Sequence, residues 1–240
     1  MTGEKEGASS APFGNIVVLT GAGISAESGL RTFRAADGLW ENHRIEDVAT
    51  PEGFARDRAL VHRFYNARRA QLKTTKPNAA HFALAAFERA HCKRGGGFLL
   101  ITQNVDDLHE RAGSCEMVHL HGELLKMRCT LCGKAMAAKG DINKDDKCPL
   151  CAQAGGLRPD IVWFGEMPHF LPRINDALGE CDYFVSIGTS GNVYPAAGFA
   201  GIAKQAGAKC VELNLEPTAT IFEESRYGKA TETVPKFFTL

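Results

Sequence analysis

The sequence predicts an α/β protein: a parallel sheet interrupted by two inserts of different character. Three observations predict it. Four short apolar runs each end in small or polar residues, a long stretch between the first two carries helical periodicity, and a later polar stretch holds four cysteines in two close pairs.

The first run, Asn15–Thr20 (NIVVLT), is β-branched and apolar and reads as a buried strand. The others are 98–101 (FLLI), 183–187 (YFVSI) and 209–213 (KCVEL). They end respectively at Gly21-Ala22-Gly23, Thr102-Gln103-Asn104, Gly188-Thr189-Ser190 and Asn214-Leu215-Glu216. Ligands of open α/β sheets bind beyond the carboxyl ends of the strands. These four termini are therefore candidate edges of one crevice.

Between the first two strands, residues 37–94 place Leu60, Phe64, Ala67 and Leu72, then His81, Leu84, Ala85 and Phe87, at helical spacing. That is too much for one crossover helix and predicts a helical insert. Residues 123–158 form the second insert, polar and without a core pattern of their own. The sheet domain then comprises 14–36, 95–122 and 159–240, and residues 1–13 form a disordered tail.

The 240 residues are 44% hydrophobic and 23% charged, ordinary for a globular chain. Lys+Arg and Asp+Glu number 28 each, so no global field recruits nucleic acid or an anionic membrane. No apolar run approaches the roughly 18 residues of a transmembrane helix. The polar start lacks the apolar centre of a secretory signal. The expectation is a cytoplasmic monomer with reduced thiols. Cys92, Cys115, Cys181 and Cys210 are scattered and read as incidental or core residues.

The remaining four, Cys129, Cys132, Cys148 and Cys151, have the spacing C-x2-C-x15-C-x2-C. Each pair can sit on a tight turn and present two thiolates to one ion, which together make a closed tetrahedral zinc site. Such a site has no open position, so its role is structural, and the insert is expected to unfold without metal. A redox C-x-x-C pair is the alternative.

Gly21-Ala22-Gly23-Ile24-Ser25-Ala26 matches G-x-G-x-x-A directly after a strand, a dinucleotide fingerprint. The glycines would let the backbone approach a pyrophosphate, and a following helix N-terminus would favour its charge. No second strand with a terminal acid follows about 20 residues on, which argues against an ordinary hydride-transfer enzyme.

Several segments together resemble one family. Gly21–Trp40 (GAGISAESGLRTFRAADGLW), Thr102–Asp106 (TQNVD) with Leu108-His109, His119–Gly122 (HLHG), the four cysteines, Val162–Glu166 (VWFGE), Gly188–Ser190 (GTS) and Asn214–Glu216 (NLE) look like sirtuins, NAD-dependent protein lysine deacylases. The likeness runs in order from residue 14 onward. It implies a Rossmann-like large domain, a small domain built from the two inserts, and NAD meeting an acylated peptide in the cleft between them. The implied products are nicotinamide, 2′-O-acyl-ADP-ribose and free lysine. His121 matches the family's catalytic histidine, and an imidazole is suited to activating a ribose hydroxyl near neutral pH. Asn104 and Asp106 match residues around the nicotinamide ribose, with Gln103 on the same edge; as bare residue types they are also common caps and turn formers. Arg34 and Phe33 fall on the family's cofactor loop. The implied cofactor contacts extend to Gly21–Ser25, Trp40, Val105, Gly188, Thr189, Ser190, Asn214, Leu215, Glu216 and Ala230. Val162, Phe164, Gly165 and Glu166 match the strand that pairs with the substrate backbone.

Tyr65 and Arg68 stand at i and i+3 on one helix face. A guanidinium and a phenol can hold a carboxylate in an apolar pocket. The pair, with Ala49 leaving room for a longer acyl chain, resembles the bacterial class III sirtuins that remove succinyl and malonyl groups; a solvated surface pair is the alternative. Acetyl removal is expected to remain possible. The expected partners are acyl-lysine proteins, metabolic enzymes among them. Competing functions are mono-ADP-ribosyl transfer and a non-catalytic zinc-ribbon binding module.

Overall fold

The computed structural model describes residues 13–31, 39–218 and 221–239; Phe33 and Arg34 lie outside the described residues. The elements, in chain order, begin with β1 (Asn15–Thr20), α1 (Gly23–Ala26), β2 (Leu39–Trp40), β3 (His43–Arg44), α2 (Ile45–Val48), α3 (Pro51–Arg56), α4 (Arg58–Thr74) and α5 (Ala79–Lys93). They continue with β4 (Gly97–Thr102), α6 (Leu108–Ala112), β5 (Met117–His119), β6 (Gly122–Cys129), β7 (Ala135–Ala137) and β8 (Leu157–Ile161). The last are α7 (Leu171–Glu180), β9 (Tyr183–Ile187), α8 (Phe199–Gln205), β10 (Lys209–Asn214), β11 (Glu224–Tyr227) and α9 (Ala230–Phe237).

All four expected strands are present, flanked by β5 and β11 in one parallel sheet of order β11-β10-β9-β1-β4-β5. The period-2 alternation of β1 explains why it is apolar throughout. Val17 and Leu19 face a core that includes Ile174, Leu178, Phe184 and Phe199. Ile16 and Val18 face the opposite core, with Leu84, Phe87, Leu100 and Val234. A strand covered on both faces has no polar side to alternate with. The chain builds outward from β1 through β4 to β5, then returns to start β9 on the other side of β1. This reversal is the topological switch point, where a crevice opens at the strands' carboxyl ends.

Within residues 37–94 the two long helices have different partners: α4 packs with Val48, Phe54, Leu124 and Trp163. Helix α5 instead buries Ala80, Leu84 and Phe87 against Ile16, Val18 and Leu100. Its apolar face is complementary to the sheet's, and Asn78 caps its start while donating to the Ile24 carbonyl (2.8 Å) and Ser28 Oγ (3.0 Å). The cysteine-bearing insert contributes the antiparallel sheet β7-β6-β8. Contrary to expectation it has a small core, with Ile142 and Leu157 buried beside Cys129 and Cys148. No helix among the described residues is long and apolar enough to cross a membrane.

Candidate functional site

A single cleft of about 1490 Å³ runs from the ends of β1, β4, β9 and β10 to the inner face of α4. Gly21, Ala22, Gly23, Ser25, Gly188, Thr189, Ser190, Asn214, Leu215, Glu216 and Ala230 line one end. Ala49, Tyr65 and Arg68 line the other, with Gln103, Asn104, Val105, Asp106, His121, Val162, Phe164, Gly165, Glu166 and Trp40 also on its walls. Of the described residues expected at the site, only Ile24 does not line it. Its side chain is fully buried in the sheet core, so its place in the glycine-rich turn is a packing position.

The glycines serve a purpose the sequence did not reveal. Gly23 N donates to the Gly188 carbonyl (2.8 Å) and Gly21 N to the Ile187 carbonyl (3.0 Å), locking the turns after β1 and β9 together. A Cβ on Gly23 would lie 2.7 Å from Gly188 Cα, and one on Gly21 2.8 Å from the Gly188 carbonyl oxygen. Helix α1 is one turn long, and the Ile24 and Ser25 amides also donate within the turn. The Gly21, Gly23, Ile24 and Ser25 amides are therefore engaged by protein carbonyls, and the helix that follows the turn is too short to supply a long dipole. Gln103 Nε2 donates to Thr189 Oγ1 (3.0 Å) and Asn214 Nδ2 to the Thr189 carbonyl (2.8 Å), tying four strand ends into one rim.

At the cleft's middle, His121 Nδ1 lies 3.2 Å from the Gln103 carbonyl. A carbonyl only accepts, so Nδ1 carries the proton and Nε2 keeps its lone pair. Burial lowers the His121 pKa, against the pull of the Gln103 carbonyl, with His169 adding to the depression. The ring is thus a neutral base at pH 7. Beside it, Ser25 Oγ donates to Asp106 Oδ2 (3.1 Å) and accepts from Asn104 Nδ2 (3.2 Å). Burial raises the Asp106 pKa to about 6, while the Leu108 amide and Ser25 hydroxyl pull it down. His119 is engaged elsewhere: it donates to the Asn104 carbonyl (3.0 Å) and faces Glu110 at 2.6 Å. Burial opposes its charge, but Glu110 outweighs that and raises its pKa.

At the α4 end, Tyr65 is fully buried and its hydroxyl accepts from Trp163 Nε1 (2.9 Å). Burial raises its pKa, so it stays a phenol with a proton to donate. Arg68 Nη1 lies 3.5 Å from Glu41 Oε2. The Nε and Nη1 atoms of Arg68 are buried without a hydrogen-bond partner among the described residues. The segment Val162–Glu166, expected as a strand, is irregular: β8 ends at Ile161. Val162 N donates to the His121 carbonyl (2.9 Å) and Phe164 N to the Ala49 carbonyl (3.0 Å), which pin it across the cleft mouth. Gly165 turns the chain with φ 88°, and Glu166 folds back onto Arg158 (2.6 Å) and the Trp163 amide (2.8 Å). Its carboxylate is therefore spent on the loop itself. Sequence reasoning missed Glu41 and Trp163 as lining residues. Trp163 sits inside a recognised segment, whereas Glu41 belongs to no motif.

The four cysteine sulfurs lie within 4.8 Å of one another, with Cys129–Cys151 at 3.8 Å and Cys132–Cys148 at 3.9 Å. Tetrahedral Zn–S bonds of about 2.3 Å require S···S separations of about 3.8 Å, so the set fits a structural zinc ion.

A doubly covered parallel sheet with its crevice at the switch point, closed over by a helical and cysteine-rich layer, is the architecture of a dinucleotide-binding protein with a cross-layer substrate cleft. A profile of the Sir2 family matches residues 21–195, and the chain belongs to that family. An NAD-dependent protein deacylase of Pasteurella multocida is 62% identical over 226 residues, covering 92% of this chain and 95% of that protein. One from Salmonella typhimurium is 59% identical, covering 92% and 82%. Among solved structures, a Sir2 homologue–NAD complex is similar with TM-score 0.85 and 41% identity, covering 95% of this chain and 89% of that one. A Sir2–p53 peptide–NAD+ complex has TM-score 0.78 and 29% identity, covering 94% and 92%.

Proposed function

We propose that this chain is an NAD-dependent protein lysine deacylase that removes succinyl and malonyl groups as well as acetyl. The observation that carries the reading is the placement of a neutral, carbonyl-tethered His121 midway along one cleft. Its ends are the interlocked glycine turns and the Tyr65–Arg68 pair. When bound, NAD supplies the activated ribose that accepts the acyl group. His121 Nε2 takes the proton from the ribose hydroxyl, and a depressed pKa keeps that nitrogen free at neutral pH. Asn104 and Asp106, oriented through Ser25, hold the nicotinamide side of the pocket. The turns at Gly21–Gly23 and Gly188–Ser190 take the phosphates, and Asn214, Leu215, Glu216 and Ala230 take the adenosine end. Val162, Phe164 and Gly165 meet the peptide main chain at the mouth, which reads little sequence. Phe33 and Arg34 are assigned to the cofactor loop on resemblance alone. Zinc at the four cysteines holds the small layer together.

In the acyl pocket, Arg68 receives the distal carboxylate and Tyr65 donates to it, with Ala49 leaving room. Protein substrates with acyl-lysines, metabolic enzymes among them, are the expected partners of a cytoplasmic monomer.

The test incubates the protein with NAD and matched succinyl-lysine and acetyl-lysine peptides and follows peptide mass, beside His121→Ala and Arg68→Met. The expected result is NAD-dependent loss of both groups with succinyl faster, no turnover in His121→Ala, and no succinyl preference in Arg68→Met. Acetyl removal without succinyl removal would mean that Arg68 lines the cleft without receiving an acyl carboxylate. Nicotinamide release without deacylation of any peptide would point to ADP-ribosyl transfer.

A further inference from the structure

An arginine that waits for a substrate carboxylate raises a physical problem when the substrate has none. An acetyl group displaces water from the pocket and leaves the guanidinium desolvated and unpaired. The structure places a second acid where it can answer this. Glu41 lines the cleft with its side chain only 13% exposed, and its Oε2 lies 3.5 Å from Arg68 Nη1. The contact is an ion pair without a formed hydrogen bond, since Arg68 Nη1 and Nε remain without hydrogen-bond partners among the described residues. It is therefore loose enough to be exchanged.

The position of Glu41 is built in. Glu41 and Asn42 have φ 49° and 65° and form the two-residue turn between the paired strands β2 and β3. His43 Nδ1 donates to the Glu41 carbonyl (2.9 Å). Trp40 packs edge-on against Phe64 (5.0 Å between centroids) and Tyr65 (6.0 Å), fastening the hairpin to the helix that carries Arg68. Arg31 Nε lies 3.9 Å from the same Glu41 oxygen and is largely exposed, so a displaced carboxylate has a second cation to turn to.

We propose that Glu41 is a specificity-setting residue: it pairs Arg68 when the acyl group is neutral and yields Arg68 when the acyl group brings its own carboxylate. One pocket thereby accepts both kinds of substrate. This rests on the acyl-pocket reading above. Glu41 opposes a succinyl carboxylate by like-charge repulsion and assists an acetyl group by keeping Arg68 compensated. Removing its charge moves the two substrates in opposite directions, which a purely structural role would not do.

The experiment measures KM and kcat for succinyl-, butyryl- and acetyl-lysine peptides at saturating NAD with wild type, Glu41→Gln and Glu41→Asp. Butyryl matches succinyl in length without its charge. For Glu41→Gln the expected result is a succinyl KM lower by about twofold to fivefold, with acetyl and butyryl KM higher by a similar factor and kcat little changed. Glu41→Asp, which keeps the charge but draws it back from Arg68, is expected to shift KM the same way and less, and it stands in if the glutamine variant folds poorly. In an Arg68→Met background, Glu41→Gln is expected to leave acetyl and butyryl KM unchanged, because the effect on neutral acyl groups acts through the Glu41–Arg68 pair. Parallel changes for all three acyl groups, or none, overturn the proposal. If Arg68→Met alone leaves succinyl preference intact, the acyl-pocket reading fails with it; if Arg68→Met erases the preference and Glu41→Gln does not move it, only the role of Glu41 fails.

Discussion

His62 sits on α4, 2% exposed, edge-on to Phe54 at 5.5 Å, and neither ring nitrogen has a hydrogen-bond partner among the described residues. Burial first, then the nearby Arg69, lowers its pKa to about 4. His81 is lowered to about 4 by burial, and His109 is held well below the ordinary value, also chiefly by burial. In the unfolded chain each ring titrates near 6.5, so between about pH 4 and 6.5 the unfolded state binds more protons than the folded one. Stability therefore rises with pH across that window and is lost as pH falls through it, by up to about 1.4 kcal/mol per pH unit for each ring. Replacing His62 with Leu removes one such ring at a site with no hydrogen bond to lose. The expected outcome in urea unfolding is a difference in stability between pH 5 and pH 7.5 that shrinks by roughly 1–2 kcal/mol. An unchanged difference would mean that the His62 ring is charged in the fold, through Asp146.

Helix α4 carries more than the acyl pocket. One turn places Tyr65 and Arg68 in the lining of the cleft, while Asn66 reaches the cysteine-bearing layer. Asn66 Oδ1 accepts from the Ile142 amide (3.0 Å) and from Arg69, and its Nδ2 donates to the Ile142 carbonyl (3.1 Å). Asn66→Ala leaves both Ile142 backbone groups without this partner, beside a side chain only 2% exposed. The expected cost is about 1–3 kcal/mol in denaturant unfolding, with faster zinc loss to a chelator; wild-type stability in the variant would show that water replaces the amide. The periodicity of α4 and α5 was visible in the sequence. Their different partners were not, because a buried face looks the same whether it meets a sheet or a second helix. The irregularity of Val162–Glu166 was likewise hidden, since Gly165 and the Arg158–Glu166 pair act through residues outside the apolar pattern.

At the level of the whole molecule, the two layers are held by different physics. The parallel sheet has apolar cores on both faces. The cysteine-bearing layer has a small core clustered about its sulfurs. A layer this small depends on its metal for folding energy. Chelation is therefore expected to abolish amide protection first within 123–158, while β1, β4 and β9 keep theirs, as hydrogen exchange would record. Because Asn66 joins that layer to α4, succinyl turnover should fall before NAD binding does. Simultaneous loss of protection in the sheet and the insert would instead make the chain a single cooperative unit.

Short-range chemistry was legible from the sequence alone. The strand runs, the C-x2-C pairs and the glycine turn are each set by residue type at fixed local spacing, His121 followed from the resemblance to a family, and every described residue expected at the cofactor and acyl sites except Ile24 lines the cleft. Tertiary structure alone decided which neighbours those groups have. It set Gly23 against Gly188, tethered His121 to the Gln103 carbonyl and laid α5 on the sheet. It also brought Glu41, from a two-residue turn, against Arg68 from a helix 27 positions on. Hydrogen bonds and charge pairs between distant segments leave no periodic trace in a sequence, because their partners are chosen by how the layers close and not by how the chain is spaced.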